Sequence, residues 1–367
     1  MSQSSKISSG QLFLFALLSR VIITLAYGIN AQGHTITNGA WFACLVLPLA
    51  LFVLGIPTLY FVNRFGGNSI CDYAFTLGKK TGITVSVAYA LLFFALSFSS
   101  VGRFSFFVTS TVQANQSVWF FPLLMMSVVC IGAIKGLRAI FRAGAILVML
   151  CILSILIILV VLIPRFEMLN IISPFYDGAG SFWYTLTMLT FSSMEMGTFL
   201  MLAPMVKGKI TKTYIGYTLV SGVFLFVIFF TILAVLGEYA ALQTFPFYSV
   251  AGVAQMGELS NLSALQASVW MIGVFFKSAV YLHLCYDCIS FFIPKRHRSI
   301  SLVGLASLGA VSAALTAGSL VKSKAGYNVG VIIVFNLLFS VVIPLFVIGI
   351  GKMKRRKQRE TNAVSVS

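Results

Sequence analysis

The sequence predicts an all-α integral membrane protein with ten transmembrane helices, and three observations carry that prediction. First, 59% of the 367 residues are hydrophobic and only 9% are charged. A soluble domain carries about 25% charged residues. This chain has too little polar surface to wet a globule of its size, which excludes a cytosolic enzyme. Second, ten apolar stretches are each long enough to cross a hydrocarbon core about 30 Å thick, which takes about 20 helical residues. Third, the basic residues gather at alternate ends of those stretches. A formal net charge of +17 would point a soluble protein toward nucleic acid; here the placement of the charge decides its meaning.

The predicted spans are 10–28, 38–62, 83–108, 118–135, 139–163, 181–203, 213–237, 264–292, 299–320 and 326–351. They lack the short dyad alternation of an outer-membrane barrel. With the N-terminus in the cytoplasm, one side receives Lys6, then Arg64, Lys79 and Lys80, then Lys135, Arg138 and Arg142. It also receives Lys207, Lys209 and Lys212, then Lys295, Arg296 and Arg298, and six more in the tail 352–367, making 19. The other side receives Arg165, Lys322 and Lys324. Cytoplasmic loops retain Lys and Arg, so the division supports the helix count and places both termini in the cytoplasm. The excess charge records topology, and no nucleic-acid partner is expected; the apolar faces are matched to the lipid bilayer.

The connections leave no room for a soluble domain. The longest, 238–263, is mildly amphipathic around Pro246 to Leu259 and is expected to lie along the outer interface. The first span lacks a small-residue cleavage pattern and reads as a retained helix. Cys285 and Cys288 form a C-x-x-C, but in an apolar helix without partner ligands they read as packing residues. No metal or other cofactor is expected. No phosphate loop, dinucleotide fingerprint or nucleophile elbow is present, and no catalytic residue is assigned.

Ionisable residues within spans cost about 2.5–3.5 kcal/mol at the bilayer centre and are functional hypotheses by default. Arg20 falls in the middle of helix 1, Arg103 toward the outer end of helix 3, Glu195 in the middle of helix 6 and Lys277 in the centre of helix 8. Asp287 lies nearer the cytoplasmic end of helix 8. Arg103 and Asp287 are within snorkelling reach of an interface; the other three are not. They either pair to fix helix packing or line a shared hydrated cavity. In a cavity, a carboxylate beside an ammonium or guanidinium binds a zwitterion or carries a coupling proton.

The surroundings of Glu195 favour the cavity. Residues 191–198 place Ser192, Ser193, Gly197 and Thr198 around the carboxylate, and Pro204 follows. Such a stretch can unwind and free backbone groups for a ligand, as broken transporter helices do. Helix 1 offers Ser19, Arg20 and Thr24. Helices 1 and 6 head the two halves of a ten-helix chain. The prediction is therefore a transporter-like, five-plus-five inverted repeat with broken helices 1 and 6, although helix 1 has no mid-span Gly or Pro. The candidate substrate-binding residues are Arg20, Thr24, Arg103, Ser192, Ser193, Glu195, Gly197 and Lys277. Glu195 and Lys277 are also candidates for a proton or coupling ion.

Several motifs give the chain a family likeness. Leu77–Gly78–Lys79–Lys80–Thr81–Gly82 ends the first cytoplasmic loop, and Gly136 to Ala143 (GLRAIFRA) forms the helix 4–5 hinge. Ser173–Pro174–Phe175 leads into helix 6, where Glu195 and Pro204 keep an E-x(8)-P spacing. Phe245–Pro246 begins the long outer loop, and Trp270 with Phe276–Lys277 marks helix 8. In this order the motifs resemble the B subunits of spore germinant receptors, the spore permease family of the amino acid–polyamine–organocation transporter superfamily. The chain departs from that pattern at 259–263, where relatives often carry a charged run.

The resemblance implies a ligand-recognising subunit in the inner membrane of bacterial spores. It also implies a small nutrient ligand such as an amino acid, and two partners, an A subunit and a lipoprotein C subunit. It places the substrate site among helices 1, 3, 6 and 8, which carry Arg20, Arg103, Glu195 and Lys277. Two alternatives stay open. A proton-coupled amino acid transporter would share fold and site. An ion-conducting channel would need a continuous polar stripe, where the sequence has only scattered Ser and Thr.

Overall fold

Inside a bilayer no water is available to backbone groups, so an apolar chain must satisfy them internally, and helices do so. The computed structural model describes residues 6–27, 38–113, 116–192, 194–256, 259–323 and 329–364, and is almost entirely helical. Among the described residues, eight helices are long and apolar enough to cross a membrane. They include α2 (Ala40–Phe65), α4 (Lys79–Phe107, extended by a π-helical turn over Val108–Val112), α6 (Leu137–Leu162), α9 (Ile210–Leu236), α11 (Ser263–Ile289) and α12 (Arg298–Ser323). The pair α7 (Ala179–Phe191) and α8 (Glu195–Leu202) forms another. The last is α13 (Val329–Leu337), continued through a π-helical turn at Leu338–Val342 into α14 (Ile343–Val364). Two shorter apolar stretches, Ser9–Ile22 in α1 (Ser9–Tyr27) and α5 (Phe120–Lys135), stand at the first and fourth predicted positions.

Local chemistry sets the joints. A short helix, α3 (Ile70–Leu77), starts where the Ser69 hydroxyl accepts from the Asp72 amide and the Asp72 carboxylate accepts from the Ser69 amide. Between α5 and α6 the chain turns at Gly136, whose φ of +93° suits glycine. Lys135 precedes that turn and Arg138 follows it, so the basic hinge motif is a helix-to-helix corner.

Small and hydroxylated residues bring the helices close, as is usual in membranes. Across the α4–α11 interface, Ser97 Oγ donates to the Ser278 carbonyl at 3.0 Å and Ser278 Oγ donates to the Ser97 carbonyl at 3.2 Å. At the α1–α11 crossing, Gly273 abuts Ile22 and Leu18, so that a Cβ there would overlap the Ile22 side chain. Gly273→Ala is therefore expected to cost about 1–3 kcal/mol by overpacking, read as a lowered unfolding midpoint of the purified protein.

On the side of the bundle that carries the basic loops, the first and last described elements are both fastened to neighbouring segments. At the N-terminus, β1 (Ile7–Ser8) pairs in parallel with β2 (Val206–Lys207), just after helix 6. On the same side α14 packs on α3, with Gly351 against the Tyr73 hydroxyl and Lys352 over the Tyr60 ring at 5.0 Å.

One expectation gains detail and one is corrected. The connection 238–263, expected along the outer interface, is not detached from the bundle. Its helix α10 (Pro246–Val253) buries Pro246, Phe247, Val250 and Ala251 and packs against α1, α9 and α11. The antiparallel pair β3 (Gln255–Met256) and β4 (Leu259–Ser260) closes the loop. Phe245 and Tyr248 find aromatic partners on the bundle, which holds the segment inward. Helix 1 is not broken: α1 runs without interruption from Ser9 to Tyr27. Between Gln11 and Tyr27 it has no Gly or Pro to release the backbone hydrogen bonds.

Candidate functional site

Helix 6 is broken where the run of small and hydroxyl residues falls: α7 ends at Phe191 and α8 begins at Glu195. A helix end leaves backbone groups without intrahelical partners, and in a membrane each must be met by protein. At the end of α7, the Met188 carbonyl accepts from the Ser192 amide at 2.9 Å. The Leu189 carbonyl accepts from Ser192 Oγ at 3.2 Å and from Arg20 Nη2. The Phe191 carbonyl accepts from Asn336 Nδ2 at 3.0 Å. The guanidinium of Arg20 thus caps the negative end of the α7 dipole, while the Glu195 carboxyl sits at the positive end of α8, the favourable sign at each pole.

Four helices converge on that carboxylate. Ser19 Oγ of α1 donates to Glu195 Oε1 at 2.9 Å, and Tyr217 of α9 donates its hydroxyl to Oε2 at 3.2 Å. Ser19 Oγ also lies 3.2 Å from the Tyr281 hydroxyl of α11. One turn earlier on α11, Lys277 Nζ donates to the Ser19 carbonyl at 3.1 Å and stands 5.7 Å from the centroid of the Tyr281 ring. Ser19 therefore joins the carboxylate to the ammonium, through its hydroxyl to one and its carbonyl to the other. The close approach at Gly273 is what lets the ammonium reach α1. Arg20, Glu195 and Lys277 are 0%, 1% and 1% exposed, and Lys277 lies in the electrostatic field of Glu195, Arg103 and Arg20.

Aromatic layers stand on both sides of this cluster along α11. About 10 Å before Lys277, at the 1.5 Å helical rise, Trp270 packs on Phe107 with ring centroids 4.4 Å apart and on Phe104 at 5.8 Å. Phe245 closes on Trp270 at 5.9 Å and on Phe107 at 5.1 Å. On the other side, Phe15 meets Phe276 at 5.4 Å, Phe141 at 5.6 Å and Tyr281 at 5.8 Å. Aromatic rings thus pack along α11 before Lys277 and, through Tyr281, one turn after it.

The structure brings Arg20, Ser192, Glu195 and Lys277 to one break. Arg103, partly buried on α4, is near enough for its charge to act on Lys277. Gly197 faces away, toward α4: a Cβ there would lie 3.1 Å from Leu92 Cδ2, which makes it a packing position. Ser193 and the side chain of Thr24 lie outside the described residues. Asp287, apart from the cluster, pairs with His283 at 3.6 Å.

Three residues at the break escape a reading by charge alone: Tyr217, Tyr281 and Asn336. Tyrosine in an apolar helix resembles ordinary core. Their signal is register: Tyr281 follows Lys277 by one turn, and Asn336 is an isolated amide in the run Ile333–Val334–Phe335–Asn336–Leu337–Leu338.

No curated protein matches the chain by sequence. Among solved structures the chain is similar to a substrate-bound, outward-open Na+-coupled sialic acid symporter. The TM-score is 0.59 and the identity 12%, over 95% of this chain and 79% of that one. That likeness establishes a transporter fold. The model of a protein family described as spore germination proteins, the spore permeases, matches residues 6–319. A multi-pass helical membrane protein with a transporter fold and a buried charge cluster at a broken helix, the chain belongs to the spore permease family of spore germination proteins.

Proposed function

We propose that this protein is the nutrient-binding B subunit of a spore germinant receptor. It recognises a small zwitterion, an amino acid, at the break in helix 6 and signals its occupancy to an A subunit and a lipoprotein C subunit. The observation that carries this reading is the enclosed set of opposite charges at the break: Glu195 on hydroxyls at one pole, Arg20 on a carbonyl at the other. A zwitterion brings the complementary pair of charges. Glu195 takes the ligand's cationic group, and Arg20 or Lys277 takes its carboxylate. The ten predicted spans form a five-plus-five inverted repeat with both termini in the cytoplasm, in the spore inner membrane. Binding favours one arrangement of the helix bundles, and that shift in population is the signal.

Lys277 also gives a specific expectation about ions. Its ammonium bridges α11 to the Ser19 carbonyl of α1, a position in which a bound metal cation would do the same work. Ligand-induced stabilisation is therefore expected to be equal in sodium, potassium and choline buffers. Lys277→Met is expected to weaken binding about tenfold or more, the loss of one charged hydrogen bond.

The test is a thermal-shift screen of the purified protein against the common amino acids. At least one is expected to raise the unfolding midpoint; no shift with any of them counts against the reading. The transporter reading is favoured by the fold itself and has its own measurement. Uptake of a labelled amino acid into vesicles, driven by a pH gradient, would support transport, whereas binding without uptake supports a sensor.

A further inference from the structure

The last span carries a polar device that neither the family match, which ends at residue 319, nor the charge cluster explains. Asn336 is fully buried in an otherwise apolar helix. Its Nδ2 donates to the Phe191 carbonyl at 3.0 Å, and its Oδ1 accepts from Ser340 Oγ at 2.9 Å, which fixes the orientation of the amide. The next residues form the π-helical turn Leu338–Val342, where the Phe339 carbonyl accepts from the Tyr89 hydroxyl of α4 at 2.9 Å. Beside this irregular stretch run both halves of helix 6: α13 packs on α7, and the π-helical turn packs on α8. Two departures from regular helix thus face each other. Beyond the π-helical turn, the same span continues to Gly351 and Lys352, which contact Tyr73 of α3 and Tyr60 of α2 on the basic side of the bundle.

Phe191 is the last residue of α7, and its carbonyl would return to an intrahelical partner if residues 192–194 rewound. A donor held on that carbonyl opposes rewinding, and the backbone at the break then keeps Glu195 at the head of α8. We propose that Asn336 is a positioning residue for the ligand site: it pins the break in helix 6 open, and it couples the occupancy of that site to the last span. The inference rests on the proposed amino acid site and adds to it the element that holds its shape and reads it out. A change at the break moves Asn336, and the π-helical turn carries that change along the span to the basic side.

The experiment compares purified wild type with Asn336→Asp, Asn336→Leu and Asn336→Gln. An equimolar mixture of the common L-amino acids is the probe, read by thermal shift and by hydrogen exchange. Asp has the shape of Asn without the amide donor, Leu has neither polar group, and Gln keeps the donor. In wild type the mixture is expected to slow exchange both at 188–196 and at 336–342. Asn336→Asp and Asn336→Leu are expected to bind about tenfold more weakly and to lose the response at 336–342, while Asn336→Gln recovers part of both. Without amino acids, exchange at 188–196 in the Asp and Leu variants is expected to differ from wild type, with Gln between. Wild-type binding by the Asp and Leu variants would overturn the inference. If wild type itself shows no shift with the mixture, the amino acid site fails instead. The exchange pattern without amino acids then decides the role of Asn336: equal protection at 188–196 in all four proteins would reject it.

Discussion

Glu195→Gln is expected to abolish the nutrient response of spores that carry it while leaving the amount of the protein in the membrane unchanged. Glutamine is isosteric with glutamate, and its carbonyl still accepts from Ser19 or Tyr217, so the packing of α1, α8 and α9 is kept. What is lost is the negative charge that would receive the cationic group of an amino acid. Hydrogen bonds to charged groups contribute about 1.5–3 kcal/mol, so affinity is expected to fall by up to about 100-fold. Germination assays across a range of amino acid concentrations, with immunoblots of spore membranes, check both halves of the prediction. A normal response at normal abundance would remove Glu195 from the site.

Arg20→Leu is expected to have the larger effect on stability. The guanidinium is fully buried and donates to the Leu189 carbonyl at the open end of α7. Leucine keeps much of the volume and removes both the donor and the positive charge. The negative pole of α7 then loses its charged donor in a medium without water, and Glu195 and Lys277 lose a neighbouring charge. Removing one member of a buried charged set costs about 3–5 kcal/mol, which would appear as a large fall in the unfolding midpoint. Arg20→Lys should recover part of the loss, since an ammonium supplies charge but not the planar fork of donors. If Arg20→Leu were as stable as wild type, the pole-capping role would be wrong.

These two residues also show how far the sequence can be read. The mid-membrane charges are visible because a bilayer penalises them, and the break in helix 6 is visible because Ser, Gly and Thr cluster around Glu195. Helix 1 was expected to break by symmetry with helix 6, but symmetry supplies no breaker: from Gln11 onward its residues hold the α-helical hydrogen bonds through Tyr27. Arg20 is a candidate for a ligand carboxylate, and one of its donors is committed to the Leu189 carbonyl at the break in helix 6, a long-range contact that no local pattern encodes. Tyr217 and Tyr281 could not be separated from core aromatics because their hydroxyls matter only once α9 and α11 meet α1. The outer loop reads as interfacial because it is mildly amphipathic around Pro246 to Leu259; that Phe245 and Tyr248 have aromatic partners on the bundle is not visible in the linear sequence.

The central claim is that an amino acid is held at the break in helix 6 by Glu195. Equilibrium binding of labelled amino acids to purified wild type and Glu195→Gln, measured side by side in a scintillation proximity assay, tests it most directly. The account predicts saturable binding of at least one amino acid by wild type and its loss in Glu195→Gln, with both proteins folded and monodisperse. Equal saturable binding by the two proteins would contradict it.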